Sequence, residues 1–113
     1  MGPGDVQRVR FEAFELDVAN ARLTCAGRPL ALAPKTLGVL CALARNPGQL
    51  MTKAALLDAV WGHQRVSESV LKTTISELRA VLSDDPKRPR YIQTASRCGY
   101  RFIANVSDAT ARF

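Results

Sequence analysis

The fold of this chain can be predicted from one segment, VSESVLKTTISELRAVLSDDPKRPRYIQTASRCGYRF, residues 66–102. In its first half, apolar residues recur at the spacing of one helix face: Leu71, Ile75, Leu78 and Leu82. This period predicts an amphipathic helix that begins after the N-cap Ser67 and runs to about Ser83. In its second half, two β-rich runs flank a short polar segment, SRCG at residues 96–99, which predicts a β-hairpin with an arginine at its tip.

The helix face opposite the apolar stripe is polar, and its side chains are short. At about 100° per residue, this face presents Ser69, Thr73, Ser76 and Ala80. Three charged residues lie at its margins: Lys72, Glu77 and Arg79. A solvated helix face is usually crowded with Glu and Lys, whereas small side chains let the helix backbone approach another surface closely. Because the major groove of DNA admits one α-helix, this face is a candidate for base contacts.

Two more helices are predicted upstream. Pro34 suits the first position of a helix, where its missing N–H costs nothing, and the NPG segment at 46–48 ends that helix. Thr52 is a good N-cap for a second helix over residues 53 to 60 or 61. The second and third helices are joined by WGHQRV, residues 61–66, a longer loop than that of a standard helix-turn-helix.

The N-terminal third of the chain predicts an antiparallel sheet. RVRFEAFELDVANARLTCAGRPLAL, residues 8–32, alternates in polarity, and turn signals at 19–21 and 26–28 divide it into three or four strands. The predicted order is therefore sheet, three helices and hairpin, an α+β fold. With 113 residues, one core is expected. We assign it to residues 8–104, between a flexible N-terminus at 1–7 and a C-terminal tail or start of a linker at 105–113.

The charge distribution favours a polyanionic partner. Residues 65–101 carry eight Lys and Arg against four Asp and Glu, and so hold +4 of the formal charge of +6. No apolar run is long enough for a membrane span, and the first residues lack the apolar stretch of a signal peptide. We therefore expect a cytoplasmic location, no membrane contact from this segment, and three reduced cysteines: Cys25, Cys41 and Cys98.

Catalysis and metal binding find no support in the sequence. The chain has no GxxxxGK[ST], HExxH or GxSxG motif, so we expect a protein that is not an enzyme and needs no cofactor. His63 is the only histidine and has no second ligand beside it, so no metal site is expected. Cys25 and Cys41 are interpreted as small core residues, and Trp61 as a core residue.

Four motifs carry a family resemblance. They are LLDAVWG at 56–62, I..LR..L at 75–82, DDP..PRYIQT at 84–94, and GYRF at 99–102. Because the four motifs occur together, the chain resembles the winged-helix effector domain of OmpR/PhoB-type transcriptional regulators. The resemblance covers about residues 9–104. The segment VSES…ISELRAVLSDDP looks closest to CadC-like members, which carry the domain at the N-terminus. The resemblance implies a winged helix-turn-helix with an N-terminal antiparallel sheet, three helices and a C-terminal wing hairpin.

The same resemblance implies sequence-specific binding of double-stranded DNA in bacterial transcription. The candidate DNA-binding residues lie on the third helix and the hairpin: Ser69, Lys72, Thr73, Ser76, Glu77, Arg79, Thr94, Ser96, Arg97 and Arg101. Two departures leave the recognised base sequence and the wing contact open. Many members carry arginines where this chain has Ser76 and Glu77, and the usual wing tip is close to R-G-x-G-Y, where this chain has S-R-C-G-Y.

Each candidate has more than one possible contact. Lys72 and Arg79 could bind a phosphate or a guanine, and Glu77 could accept from a cytosine amino group or be solvated. Arg97 could grip a phosphate or enter the minor groove, while Gly99 is expected to let the tip turn tightly.

The resemblance implies two further partners. RNA polymerase would contact the loop from Trp61 to Val66, and a second copy of the chain would form a homodimer with the first on DNA. The alternative function is a winged-helix protein-interaction module without DNA binding. Duplex RNA is disfavoured, because its deep, narrow major groove excludes a helix.

Overall fold

The computed structural model describes residues 8–62 and 64–108, and it confirms the predicted α+β order. The predictions for residues 1–7, His63 and residues 109–113 lie outside the described residues. The elements in chain order are β1 (Arg8–Phe11), β2 (Phe14–Asp17), β3 (Arg22–Cys25), β4 (Arg28–Leu30), α1 (Pro34–Ala44), β5 (Leu50–Thr52), α2 (Lys53–Trp61), α3 (Glu68–Leu82), β6 (Ile92–Ala95), β7 (Gly99–Phe102) and β8 (Ser107–Asp108).

The N-terminal sheet is antiparallel, with strand order β4-β3-β2-β1-β8. Alternation along the strands buries one face, formed by Val9, Phe11, Phe14, Leu16 and Leu23. On the other face, charged residues pair across β1 and β2, as in the contact of 3.2 Å between Arg10 Nη2 and Glu15 Oε1. β8 pairs with β1, so Ser107 and Asp108 add a short strand to the sheet.

The helix boundaries follow their capping residues. Pro34 is the first residue of α1, as predicted. The Thr52 hydroxyl accepts a hydrogen bond from the Ala55 N–H at 3.0 Å, which confirms the predicted N-cap of α2. Ser67 occupies the N-cap of α3, but its hydroxyl bonds the Ser69 hydroxyl at 2.7 Å instead of a helix N–H. The hydroxyl of Ser69, at the second position of the helix, thus competes with the helix N–H groups for the Ser67 hydroxyl.

The core lies between the N-terminal sheet and the three helices. The apolar stripe predicted for α3 is buried at all four positions: Leu71, Ile75, Leu78 and Leu82. Trp61 is also buried, as predicted, and Cys25 and Cys41 pack against the edge of the core. Burial raises the pKa of the Cys41 thiol, so it stays protonated at neutral pH. No helix within residues 8–62 and 64–108 is long and apolar enough to cross a membrane.

A second sheet joins the hairpin to the helices. Its strand order is β5-β7-β6, and the short strand β5, between α1 and α2, was not predicted from the sequence. β6 and β7 form the predicted hairpin, with Ala95 opposite Gly99.

The role expected for Gly99 was wrong. Arg97, with φ of 65°, takes the left-handed conformation at the hairpin tip, whereas Gly99 lies within β7 and does not have a positive φ. A Cβ atom on Gly99 would collide with the backbone of Met51 and Thr52. Glycine is therefore required because β5 packs so closely on β7, and not because of the turn.

Candidate nucleic-acid interface

The outward face of α3 is exposed as the sequence predicted. Ser69, Thr73, Ser76 and Ala80 are all exposed, and so is Lys72 beside them. Thr74 lies between the two faces and is buried, with its hydroxyl donating to the Val70 carbonyl at 2.8 Å. The exposed surface therefore offers hydroxyl and methyl groups at its centre and an ammonium group at its margin.

A cleft of about 500 Å³ separates α3 from the hairpin. Its walls come from α3, the turn that follows it and the hairpin: Lys72, Ile75, Ser76, Arg79, Ala80, Asp84, Pro86, Thr94 and Tyr100. Because Ser76 and Ala80 belong to the exposed face of α3, the helix face and the hairpin border one continuous surface.

The hairpin tip lies beside the start of α3. Ser96, Arg97 and Cys98 are exposed at the tip, and the Cys98 N–H donates to the Ala95 carbonyl at 2.9 Å. The Lys53 backbone N–H donates to the Cys98 carbonyl at 3.2 Å, and the Lys53 ammonium lies 3.1 Å from the carboxylate of Glu68, the first residue of α3. Lys53, which sequence reasoning missed, thus connects the tip to α3.

Three of the charged side chains among the predicted DNA-binding residues contact the protein itself. The Thr36 hydroxyl donates to Glu77 Oε1 at 3.3 Å, so Glu77 is held against α1. Arg101 donates from Nη1 to Gln93 Oε1 at 3.1 Å, across the hairpin from β7 to β6.

Arg79 is the third, and it contacts the hairpin. Its Nη2 lies 2.9 Å from the Ile92 carbonyl oxygen and 2.8 Å from the hydroxyl of Thr94, another predicted site residue. Its Nε is buried and has no hydrogen-bond partner among the described residues. The guanidinium therefore faces the hairpin and joins it to α3.

Asp84 is a site residue that the sequence analysis did not single out. Its buried carboxylate accepts from the N–H of Arg90 at 2.7 Å and from the N–H of Ile92 at 3.0 Å. The turn that follows places Lys87 and Arg88 on the surface, with the Lys87 N–H donating to Asp85 Oδ1 at 2.9 Å. The Asp-Asp-Pro segment is the local signal for such a turn, because aspartate side chains accept from nearby backbone N–H groups.

The loop between α2 and α3 exposes only part of its sequence. Trp61 is buried and Val66 is half-buried, while Gly62, Gln64 and Arg65 are exposed. Within the described residues, no group of three or more His, Cys, Asp or Glu side chains is placed to hold a metal ion.

Comparison with known sequences identifies similar proteins. The profile of the family described as "Transcriptional regulatory protein, C terminal" matches residues 27–102. The transcriptional regulatory protein KdpE of Mycobacterium tuberculosis is 36% identical over 97 residues, which are 85% of this chain and 43% of KdpE. The DNA-binding response regulator MtrA of Mycolicibacterium smegmatis is 33% identical over 88 residues, which are 77% of this chain and 39% of MtrA. The chain thus spans about two fifths of the curated relatives it matches.

Solved structures with the same fold include one bound to DNA. The RstA DNA-binding domain of Klebsiella pneumoniae, in complex with the RstA box, has a TM-score of 0.76 and 30% identity, and the match covers 86% of this chain and 97% of that domain. DrrB of Thermotoga maritima, an OmpR/PhoB homologue, has a TM-score of 0.78 and 33% identity, with 86% and 44% covered. The DNA-binding domain of E. coli CadC has a TM-score of 0.76 and 27% identity, with 89% and 95% covered. CadC is one neighbour among several, so the expectation of a specifically CadC-like variant is not supported.

Proposed function

Because the chain belongs to the family described as "Transcriptional regulatory protein, C terminal", we propose that it is the sequence-specific DNA-binding domain of a bacterial transcriptional regulator. The observation that carries the proposal is the exposed Ser, Thr and Ala face of α3, with the arginine-bearing hairpin tip beside the start of that helix. The family consists of regulators, which confirms the expectation that this domain is not an enzyme.

In this proposal α3 enters the major groove and reads bases. The hydroxyls of Thr73 and Ser76 can donate to or accept from base edges, and the Thr73 and Ala80 methyl groups can contact a thymine methyl. Ser69 and Lys72 lie toward the N-terminal part of the same exposed face and suit phosphate contacts, because a hydroxyl and an ammonium both donate to phosphate oxygens. Short side chains over most of this face let the helix backbone approach the base edges.

The hairpin tip provides a second contact, which holds the orientation of the helix. Arg97 is exposed at the tip, and its planar guanidinium can bind a phosphate bidentately or enter a narrow minor groove. Ser96 is exposed next to it and can donate to a phosphate oxygen. A helix held only in one groove can rock, whereas a second contact on the adjacent backbone fixes its angle.

The remaining predicted residues take supporting roles in this proposal. Arg79, Thr94 and Arg101 bond within the protein and hold the hairpin in place, so their own contacts with DNA are secondary. Glu77 is held by Thr36 toward α1, which reduces its access to a cytosine amino group.

Further assignments extend the proposal to the rest of the chain. The DNA-binding domain, predicted over residues 8–104, is proposed to extend through β8, because β8 pairs with β1. It is proposed to act in the cytoplasm. The exposed part of the α2–α3 loop, around Gln64 and Arg65, is the surface proposed for RNA polymerase. Two copies bind repeated half-sites as a homodimer.

The test is selection of bound duplexes from a random-sequence DNA library, followed by titration of the recovered duplex and of random DNA over a range of salt concentrations. We expect a recovered consensus and a linear fall of log K with log salt. Replacing Arg97 by Ala should lower the salt slope by about one unit if the contact is a phosphate, or cause a loss that grows at A·T-rich flanks if it is the minor groove.

Arg28→Ala is the matched control, because it removes the same charge from an exposed position on the N-terminal sheet. Its affinity and salt slope should stay close to those of the unaltered chain. If no duplex is retained at low salt, the DNA-binding proposal fails, and the alternative function, a protein-interaction module, is better supported. Equal affinity for duplex RNA would exclude recognition through the major groove.

A further inference from the structure

The open edge of the hairpin carries backbone groups that need partners. Among the strands that the structure describes, β6 lies at the edge of its sheet and pairs with β7. The Tyr91 carbonyl accepts from the Ile103 N–H at 2.8 Å, so the backbone groups of Tyr91 face the β7 side. Because such groups alternate in an antiparallel ladder, the N–H and C=O of Ile92 point away from β7. Ile92 is fully buried, so water cannot satisfy these groups.

The C-terminal end of α3 supplies both partners. Asp84 Oδ2 accepts from the Ile92 N–H at 3.0 Å, and Arg79 Nη2 donates to the Ile92 carbonyl at 2.9 Å. The same two side chains also bond the residues two positions before and after Ile92: the Arg90 N–H donates to Asp84 at 2.7 Å, and Arg79 donates to the Thr94 hydroxyl at 2.8 Å. A carboxylate and a guanidinium thus take the place that a neighbouring strand would have along β6.

The positions of Arg79 and Asp84 relative to each other are fixed by the end of the helix. Ser83 is left-handed, with φ of 57°, and the Asp84 N–H donates to the Arg79 carbonyl at 2.8 Å. With the Ser83 N–H donating to the Ala80 carbonyl at 3.3 Å, this is a Schellman motif. The two side chains therefore project from one rigid turn.

We propose that Arg79 and Asp84 form a clamp that sets the angle between the hairpin and α3. The clamp holds the base of the hairpin at Ile92, and the turn that carries Arg97 begins after Ala95, about 10 Å farther along at the rise of a β-strand. A tilt of about 10° at the base would move the tip by about 2 Å, which is enough to break a hydrogen bond to DNA. Arg79 is thus a positioning residue, and the consequence for DNA rests on the proposed function.

The first experiment measures the angle in the free protein, without DNA. Residual dipolar couplings of the backbone amides give the orientation of β6 and β7 relative to α3. Arg79→Met, which keeps the stem and removes the donors, should rotate the hairpin, and Asp84→Asn should rotate it in part. Lys72→Met is the control, because it removes the same charge from an exposed position of α3 that has no hydrogen bond or ion pair among the described residues.

An unchanged hairpin orientation in Arg79→Met overturns the proposal. If Arg79→Met does not fold, Arg79→Lys provides the same comparison, because it keeps the charge but lacks the forked donors. This experiment does not depend on DNA binding, so its result stands even if no duplex is selected and the proposed function fails.

The second experiment is a double-mutant cycle on the duplex recovered by the unaltered chain. Replacing Arg97 by Ala should weaken binding about 5- to 30-fold in the unaltered and Arg28→Ala backgrounds, and less than about twofold in Arg79→Met, where the tip is already displaced. An equal loss in all three backgrounds overturns the coupling. If Arg79→Met lowers the salt slope by about one unit and Arg97→Ala lowers it by a further unit in that background, Arg79 is an independent phosphate contact instead.

Discussion

Replacing Gly99 by Ala tests the close packing that attaches the hairpin to the rest of the domain. A Cβ at this position would lie 2.8 Å from Thr52 Cα and 2.9 Å from the Met51 carbonyl carbon, and closer still to the Met51 carbonyl oxygen. Ordinary contacts between carbon atoms are about 3.5–4.0 Å, so β5 and β7 would have to separate by at least about 0.7 Å. All three atoms belong to the backbone, so no side-chain rotation can relieve the clash.

A separation of this size would break the ladder between β5 and β7. Hydrogen bonds near 2.9 Å would lengthen beyond their useful range, and each contributes about 0.5–1.5 kcal/mol to stability. Overpacking a rigid contact costs about 1–3 kcal/mol by itself. We therefore expect Gly99→Ala to lower the free energy of unfolding by about 2–4 kcal/mol, measured by urea denaturation followed by circular dichroism.

Gly38→Ala is the matched control for this prediction. Gly38 lies in α1, and its added Cβ would approach the Val60 Cγ1 atom at 3.1 Å. That atom ends a side chain that can adjust, and alanine favours the helix by up to about 1 kcal/mol over glycine. Its stability should stay within about 1 kcal/mol of the unaltered chain. If Gly99→Ala is equally mild, β5 does not pack on β7 as described, and the reason given for this glycine is refuted.

Three other predictions concern the core, the base contacts and the pH dependence. Ile75→Ala should lower the free energy of unfolding by about 2–5 kcal/mol through a cavity, and an unchanged melting temperature would mean that the buried face of α3 is assigned wrongly. Thr73→Ala should weaken the selected duplex by about 1–3 kcal/mol and leave random DNA nearly unaffected, whereas equal loss on both would exclude base reading. Hydrogen bonds from Asn20 lower the pKa of Asp17 below 3.8, so its ionised form stabilises the fold above that pH. This stability is lost as the pH falls through the lowered pKa of the folded state. The stability difference between the unaltered chain and Asp17→Asn should therefore shrink below about pH 5 in urea titrations, and a constant difference would contradict the assignment.

The helices, their buried and exposed faces and the hairpin could all be predicted from local sequence patterns. The buried stripe of α3 follows from the identities of residues three and four apart, and Thr52 caps α2 through an N–H only three residues away. Such features depend on near neighbours in the chain, which a single sequence shows directly. The exposed Ser and Thr face could be predicted for the same reason, as the side of the helix opposite the apolar stripe.

The contacts of the long charged side chains could not be predicted from the sequence and are seen in the three-dimensional structure. Glu77 and Arg79 both lie at the margins of the exposed face of α3. Glu77 accepts a hydrogen bond from Thr36, 41 residues away, whereas Arg79 donates to the hairpin at Ile92, 13 residues away. A flexible side chain has the same local sequence whether it meets solvent, DNA or another element, so periodicity cannot distinguish these contacts. The need for Gly99 arises in the same way, because the backbone that excludes a Cβ there comes from β5, nearly 50 residues earlier in the chain.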